Sequence, residues 1–128
     1  MNSDQFVDGI YAAVYKSAIN TVLKTLANPP GRQPRRYQAE LSSWYNSLAD
    51  EDKQQVANVI REAVDQTVFG MLAVLDGVRT IDDEHSDLYL STGDGTLLND
   101  PAGNELHAIF RATVDDDLLS VDDRLGGP

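Results

Sequence analysis

Between residues 50 and 77, apolar side chains recur at helical spacing: Val56, Val59, Ile60, Ala63, Val64, Thr67, Val68, Met71, Leu72 and Leu75. A stripe of that length predicts a central helix against which the rest of the chain must pack. Phe69 and Ala73 lie off the stripe, so the helix is expected to be covered on more than one side. Asp50, as N-cap, with Glu51 and Asp52 in the first turn, marks its start, and Gly77 supplies a residue suited to a left-handed stop. Gly70 sits inside it and costs about 1 kcal/mol relative to alanine unless a close approach needs the missing side chain. A close helix crossing is the expected need, and a kink there is the alternative.

The chain has 128 residues, enough for one domain that buries roughly two-thirds of its unfolded surface. It has no cysteine, which excludes disulfides, thiolate chemistry and cysteine-based zinc sites. Packing must supply the stability. The polar start, Met1-Asn2-Ser3-Asp4, lacks the basic and apolar regions of a signal peptide, and Gly70 interrupts the longest uncharged apolar run, residues 68–75. A cytoplasmic location is therefore expected.

A first helix is predicted over residues 4–27, with Asn2 or Ser3 as N-cap and Asp4 and Asp8 near its positive end. It has two apolar rows: Phe6, Ile10, Val14, Ala18, Val22 and Leu26, and beside them Val7, Tyr11, Tyr15, Ile19 and Leu23. Asn28-Pro29-Pro30-Gly31 stops it. A shorter helix follows from about Pro34 or Arg35, with Tyr37, Leu41, Trp44, Tyr45 and Leu48 on one face. The two long helices are expected to lie antiparallel against each other. Two rows on the first helix, with Trp44 and Tyr45, exceed what a small monomer must bury, so a homodimer is compatible with the pattern.

Beyond Gly77 the periodicity changes. Asp87-Leu88-Tyr89-Leu90-Ser91-Thr92 alternates like a strand, Gly93-Asp94-Gly95 is a turn signal, and Thr96-Leu97-Leu98-Asn99 can return antiparallel. The expectation is a β-hairpin over residues 87–99 whose Leu88 and Leu90 pack on the helices. Asp100 and Pro101 then read as N-cap and N1 of a last helix carrying Ala102, Leu106, Ile109, Phe110 and Val114 inward. Asp115, Asp116 and Asp117 should fray its end, because acids oppose the helix dipole there. The predicted fold is mainly α: a bundle of about four helices with one small β-hairpin, a single domain over residues 1–117, and an acidic, mobile tail over 118–128.

Charge is unevenly distributed. Residues 1–48 carry +2, residues 49–80 carry -3 and residues 81–128 carry -10 of the total -11. Such a field repels phosphate backbones and anionic lipid, so neither nucleic acid nor membrane is an expected partner. A basic protein partner fits. Its predicted contacts are the acids that crowd the last third: Asp82, Asp83, Glu84, Asp87, Asp115, Asp116 and Asp117. Arg32, Arg35, Arg36 and Tyr37 form a local exception able to grip an acidic surface, even the chain's own tail.

No catalytic residue, cofactor-binding residue or metal ligand is assigned from the sequence, and no cofactor is expected. There is no nucleophile elbow, no zinc-binding H-E-x-x-H helix and no phosphate loop. Asp82, Asp83, Glu84, His85 and Asp87 crowd possible ligands together without the alternate spacing or central glycine of a calcium loop. His107 lacks a partner identifiable by spacing, and Glu62 and Asp65 read as a wet helix face. The alternative to an interaction protein is a small-ligand or metal-dependent protein using His85, His107 and nearby acids.

Leu75-Asp76-Gly77-Val78, Leu97-Leu98-Asn99-Asp100 and Leu106-His107-Ala108-Ile109-Phe110 together resemble a pattern in small uncharacterised bacterial proteins of similar length. The resemblance spans residues 50–110 and implies structure rather than an activity. In size and acidity the chain is also similar to immunity proteins, which neutralise toxin domains by covering basic active-site surfaces.

Overall fold

The computed structural model of the chain describes residues 1–126, with side chains described through Leu118. It is mainly helical: α1 (Ser3–Ile10), a π-helical turn (Tyr11–Lys16), α2 (Ser17–Ala27), α3 (Arg36–Asn46), α4 (Asp50–Leu75) and α5 (Leu106–Gly126). None of these helices is long and apolar enough to cross a membrane among the described residues. Two compact units emerge. The first comprises residues 1–14 and 67–128, the second residues 15–66.

In the first unit, α1 begins with a capping box. Asn2 Oδ1 accepts from the Gln5 N–H at 2.8 Å, and Gln5 Oε1 accepts from the Asn2 N–H at 2.9 Å. α1 packs on α5. Val7, Leu106 and Phe110 are fully buried there, with Tyr11 and Val114 nearly so. The Tyr11 hydroxyl also donates to Asp117.

In the second unit, α2 packs on α3. Asn46 donates to the Ala27 carbonyl at 3.0 Å, giving the last turn of α2 a partner it lacks within its own helix. Lys53 lies over the Tyr45 ring at 5.5 Å.

The π turn lies where the buried row passes from α1 into α2. A strict four-residue repeat drifts about 40° per step around an α-helix of 3.6 residues per turn. A wider turn removes part of that drift. Val7, Tyr11, Tyr15 and Ile19 are all buried, whereas Val14 and Val22 of the other row are exposed.

The closest helix pairs are α1 with α5 and α2 with α3. Several expectations are corrected. On α4 the covered stripe is narrower than expected. Val59 and Met71 face solvent, while Ala57, Val68, Leu72 and Ala73 are buried. On α3, Tyr37, Leu41 and Trp44 are exposed and Ser42 is the buried residue. α4 also passes unbroken through Gly70. A Cβ there would meet the Arg79 guanidinium, so the close approach comes from a side chain and not from a helix crossing.

No strand forms among the described residues, so the expected hairpin is replaced by an irregular segment with one antiparallel bridge, Ser91 to Leu97. The reason is visible at Asn99. Its side chain takes the Leu90 N–H and the Leu88 carbonyl, groups that a partner strand would otherwise hold. Leu88 is consequently exposed, and Leu98 is the buried leucine of this segment.

α5 starts at Leu106, later than expected. Asp100 Oδ1 accepts from the Ala102 N–H at 3.0 Å and closes a local turn instead of a helix. Asp115, Asp116 and Asp117 therefore lie in mid-helix, where the end-of-helix argument for fraying does not apply. Of the expected tail over 118–128, the side chains from 119 onward lie outside the described residues.

Candidate functional site

The site is built where α4 ends and α5 begins. Gly77, at φ 77°, adopts the left-handed conformation, with its N–H bonded to the Val74 carbonyl and the Val78 N–H to the Ala73 carbonyl. This is a Schellman stop, as the glycine predicted. It turns the Asp76 side chain toward the amino end of α5. Asp76 Oδ1 accepts from the Leu106 N–H at 3.0 Å, and Oδ2 accepts from the His107 N–H at 2.8 Å. These are two of the first-turn donors that no helix can satisfy internally. One residue both closes α4 and caps α5.

The same Oδ2 lies 2.6 Å from His107 Nδ1. An ionised carboxylate only accepts, so the proton of this bond sits on Nδ1, and a neutral ring keeps its lone pair on Nε2. The Asp76 side chain is 4% exposed and that of His107 18%. Phe69 meets the His107 ring edge-on at 5.3 Å, and the Arg111 guanidinium lies 4.9 Å from the Phe69 ring centre. Glu105 Oε2 is 3.8 Å from Nδ1 on the open side.

Asp76, Glu105 and His107 thus bring three possible ligand atoms within 4.8 Å of one another. A cation placed between them would have to displace the Nδ1 proton. It would also have to draw Asp76 away from two helix N–H groups whose partial positive charge it offsets. As it stands the arrangement is a helix cap.

Beside it lies a pocket of about 320 Å³, whose walls include Asp76, Asp87, Asn99, Asp100 and Glu105. Asn99 fixes this wall. Its Nδ2 donates to the Leu75 and Leu88 carbonyls, both at 2.7 Å, and its Oδ1 accepts from the Leu90 N–H at 2.8 Å. Ser3 adds a bond from its hydroxyl to the Leu98 carbonyl at 2.6 Å. Residues 76–105 are thereby tied down at both ends without forming a regular element.

The predicted partner-binding acids fall in two places. Asp82, Asp83, Glu84 and Asp87 lie exposed on the tied segment, and Asp115, Asp116 and Asp117 lie exposed on α5. Asp82 accepts from both the hydroxyl and the N–H of Ser86, which holds its carboxyl below the ordinary value. Asp94 is held low in the same way by the Thr92 and Thr96 hydroxyls and the Thr96 N–H. Of the two histidines, His107 is met by acids, and His85 belongs to no metal-capable cluster among the described residues.

Spacing alone missed the pairing of His107 with Asp76, because the two are 31 positions apart. The short stretches 75–78, 97–100 and 106–110 contain Asp76, Asn99 and His107, and the fold joins Asp76 to His107 and Asn99 to Leu75. No protein-family pattern matches the chain, and no curated protein or solved structure is significantly similar to it.

Proposed function

We propose that the protein is a non-enzymatic interaction module that presents an acidic surface to a more basic protein and thereby neutralises or regulates it. The observation that carries this reading is the segment 76–105. Irregular connections longer than about 12–15 residues are uncommon in compact proteins, and ordered ones are usually functional. This one holds eight acids against a single arginine, and all of its acids except Asp76 are exposed. Asn99 and Asp76 hold its ends by buried or half-buried polar bonds, so less ordering entropy is lost on binding than for a free loop. Charge segregation supports the same reading. The unit that contains the segment carries three basic and fifteen acidic side chains, a net -12, while the other carries seven and six, a net +1. The size and acidity resemble those of immunity proteins, which act by covering basic active sites.

The test is affinity capture from extract of the native host, with the wild type beside a variant in which Asp82, Asp83 and Glu84 are amidated to Asn, Asn and Gln. Capture of a basic protein at about 50 mM salt, lost by about 500 mM and weakened in the variant, is the expected result. Retention that ignores both ionic strength and the variant overturns the reading.

A second reading rests on the Asp76, Glu105 and His107 group, whose ligand atoms suit a small divalent cation. Under it the protein is ion- or small-ligand-dependent. Thermal melting with a panel of divalent ions tests this, since a bound ion raises the midpoint as its concentration passes the dissociation constant. An unchanged midpoint removes it.

A further inference from the structure

The α2–α3 pair carries an apolar groove of about 360 Å³ between Val22, Thr25 and Leu26 on one side and Tyr37 and Leu41 on the other. Trp44 continues its rim one turn further along α3. Tyr37, Leu41 and Trp44 stand at i, i+4 and i+7, so the three share one helix face, and all are about half exposed. Large aromatic and aliphatic side chains gathered this way are unusual for solvent and usual for helix-in-groove recognition.

The charge around the groove narrows the choice of occupant. Residues 16–48, which form both walls and their connection, hold five cations and one acid, Glu40, in a chain whose total is -11. Arg32, Arg35 and Arg36 lead into Tyr37, and Arg36 is paired with Glu40 at 2.9 Å along α3. An acidic amphipathic helix complements such a surface. The end of α5 supplies acids to such a surface in every copy of this chain: Asp115 and Asp116 are exposed there, and Leu118 is 52% exposed. The sequence continues the apolar spacing from Leu118 with Val121 and Leu125, among Asp122 and Asp123.

We propose that the α2–α3 groove is filled by the acidic end of α5 from a second copy of the chain. Leu118 enters between Val22, Tyr37 and Leu41, and Asp115, three residues before it and so on the same side of α5, faces the arginines at the start of α3. The inference is independent of the basic partner proposed above, because it uses the one cationic stretch of the molecule and a different test.

The test is sedimentation velocity of the full chain over a range of concentrations, with Trp44, the single tryptophan, as an optical reporter. At about 50 mM salt the mass rises above that of one chain and the tryptophan emission moves to the blue. At about 500 mM both effects weaken. Leu41→Asp and Leu118→Asp each hold the chain as a monomer with unchanged far-ultraviolet dichroism. The decisive arm is a charge exchange. Arg35→Glu with Arg36→Glu, and separately Asp115→Lys with Asp116→Lys, each abolish association alone and regain it when the two proteins are mixed. A wild type that stays monomeric at every concentration, association that survives Leu118→Asp, or a mixture that behaves like its components overturns the proposal.

Discussion

Asp76 accepts two hydrogen bonds from His107, one from the backbone N–H at 2.8 Å and one from ring Nδ1 at 2.6 Å, across 31 positions of sequence. Through this pair the stop of α4 becomes the start of α5. The intervening segment is a closed excursion whose two ends are fixed to each other, which is how an acid-rich stretch without strands or helices stays ordered. His107 in turn rests on Phe69, whose ring also carries Arg111, so the cap is braced by side chains from both helices.

Asp76→Ala should therefore cost more than the loss of an ordinary surface acid. It leaves two helix N–H groups and the Nδ1 proton without their acceptor at a side chain that is 4% exposed. Loss of a cap costs about 0.5–2 kcal/mol, and stranded buried donors add about 1–3 kcal/mol, so a total near 3 kcal/mol is expected. Asp76→Asn keeps one acceptor and should lose about half as much. Urea unfolding monitored by circular dichroism measures both, and equal stability of Asp76→Ala and wild type would refute the role.

Asn99 makes a different kind of lock. Its amide uses both N–H groups on carbonyls and its oxygen on an N–H, so the direction of every bond is specified. Asn99→Asp, nearly identical in shape, places acceptor oxygen against the Leu75 and Leu88 carbonyls and should cost about 3 kcal/mol or more. The expected signature is local. Hydrogen exchange at Leu90 and neighbouring amides accelerates, and protease cuts within 76–105, before α1 and α5 lose protection. Simultaneous loss everywhere would show that the segment is not a separate cooperative element.

The helical character of the chain was legible from periodicity because each helix buries a continuous stripe, and caps such as Asn2 and stops such as Gly77 are local chemistry. What misled was apolar alternation at 87–99. Period two says that a strand is possible, but it does not say what will hold the ladder groups, and here the side chain of Asn99 holds them. Asp100-Pro101 misled for a related reason. Asp100 is a good N-cap, yet it is an equally good turn former, and Asp76 supplied the cap from elsewhere in the chain. Long-range polar pairing has no period, so the site could be read only in part.

Gly70→Ala is expected to be neutral or stabilising. The added methyl meets only the end of the Arg79 side chain, and Arg79 is exposed and flexible enough to swing aside. Replacing a mid-helix glycine gains up to about 1 kcal/mol in helix propensity. A shallower gain measures what the Arg79 contact contributes, which Arg79→Ala in both backgrounds separates as a double-mutant cycle. Destabilisation beyond 1 kcal/mol or so would mean that backbone, not side chain, approaches Gly70.

Acid should loosen the exposed segment before it unfolds the helices. Asp82 and Asp94 both titrate below the ordinary value of 3.8, chiefly through the Ser86 hydroxyl for Asp82 and the Thr92 hydroxyl for Asp94. For a carboxyl whose folded pKa is depressed, the unfolded chain binds the proton first, so the stabilisation is complete above the unfolded value and is lost as pH falls through the folded one. Both turns should therefore be indifferent to pH from neutrality down to about 4, and open below that as the carboxylates stop accepting from Ser86 and Thr96. The Ser86 and Thr96 amide resonances, followed by nuclear magnetic resonance from pH 7 to 2, should move together with midpoints below 3.8. Asp82→Asn should abolish the Ser86 transition and leave that of Thr96 in place. Midpoints at or above 3.8 would show that the hydroxyl and amide bonds do not favour the ionised acids.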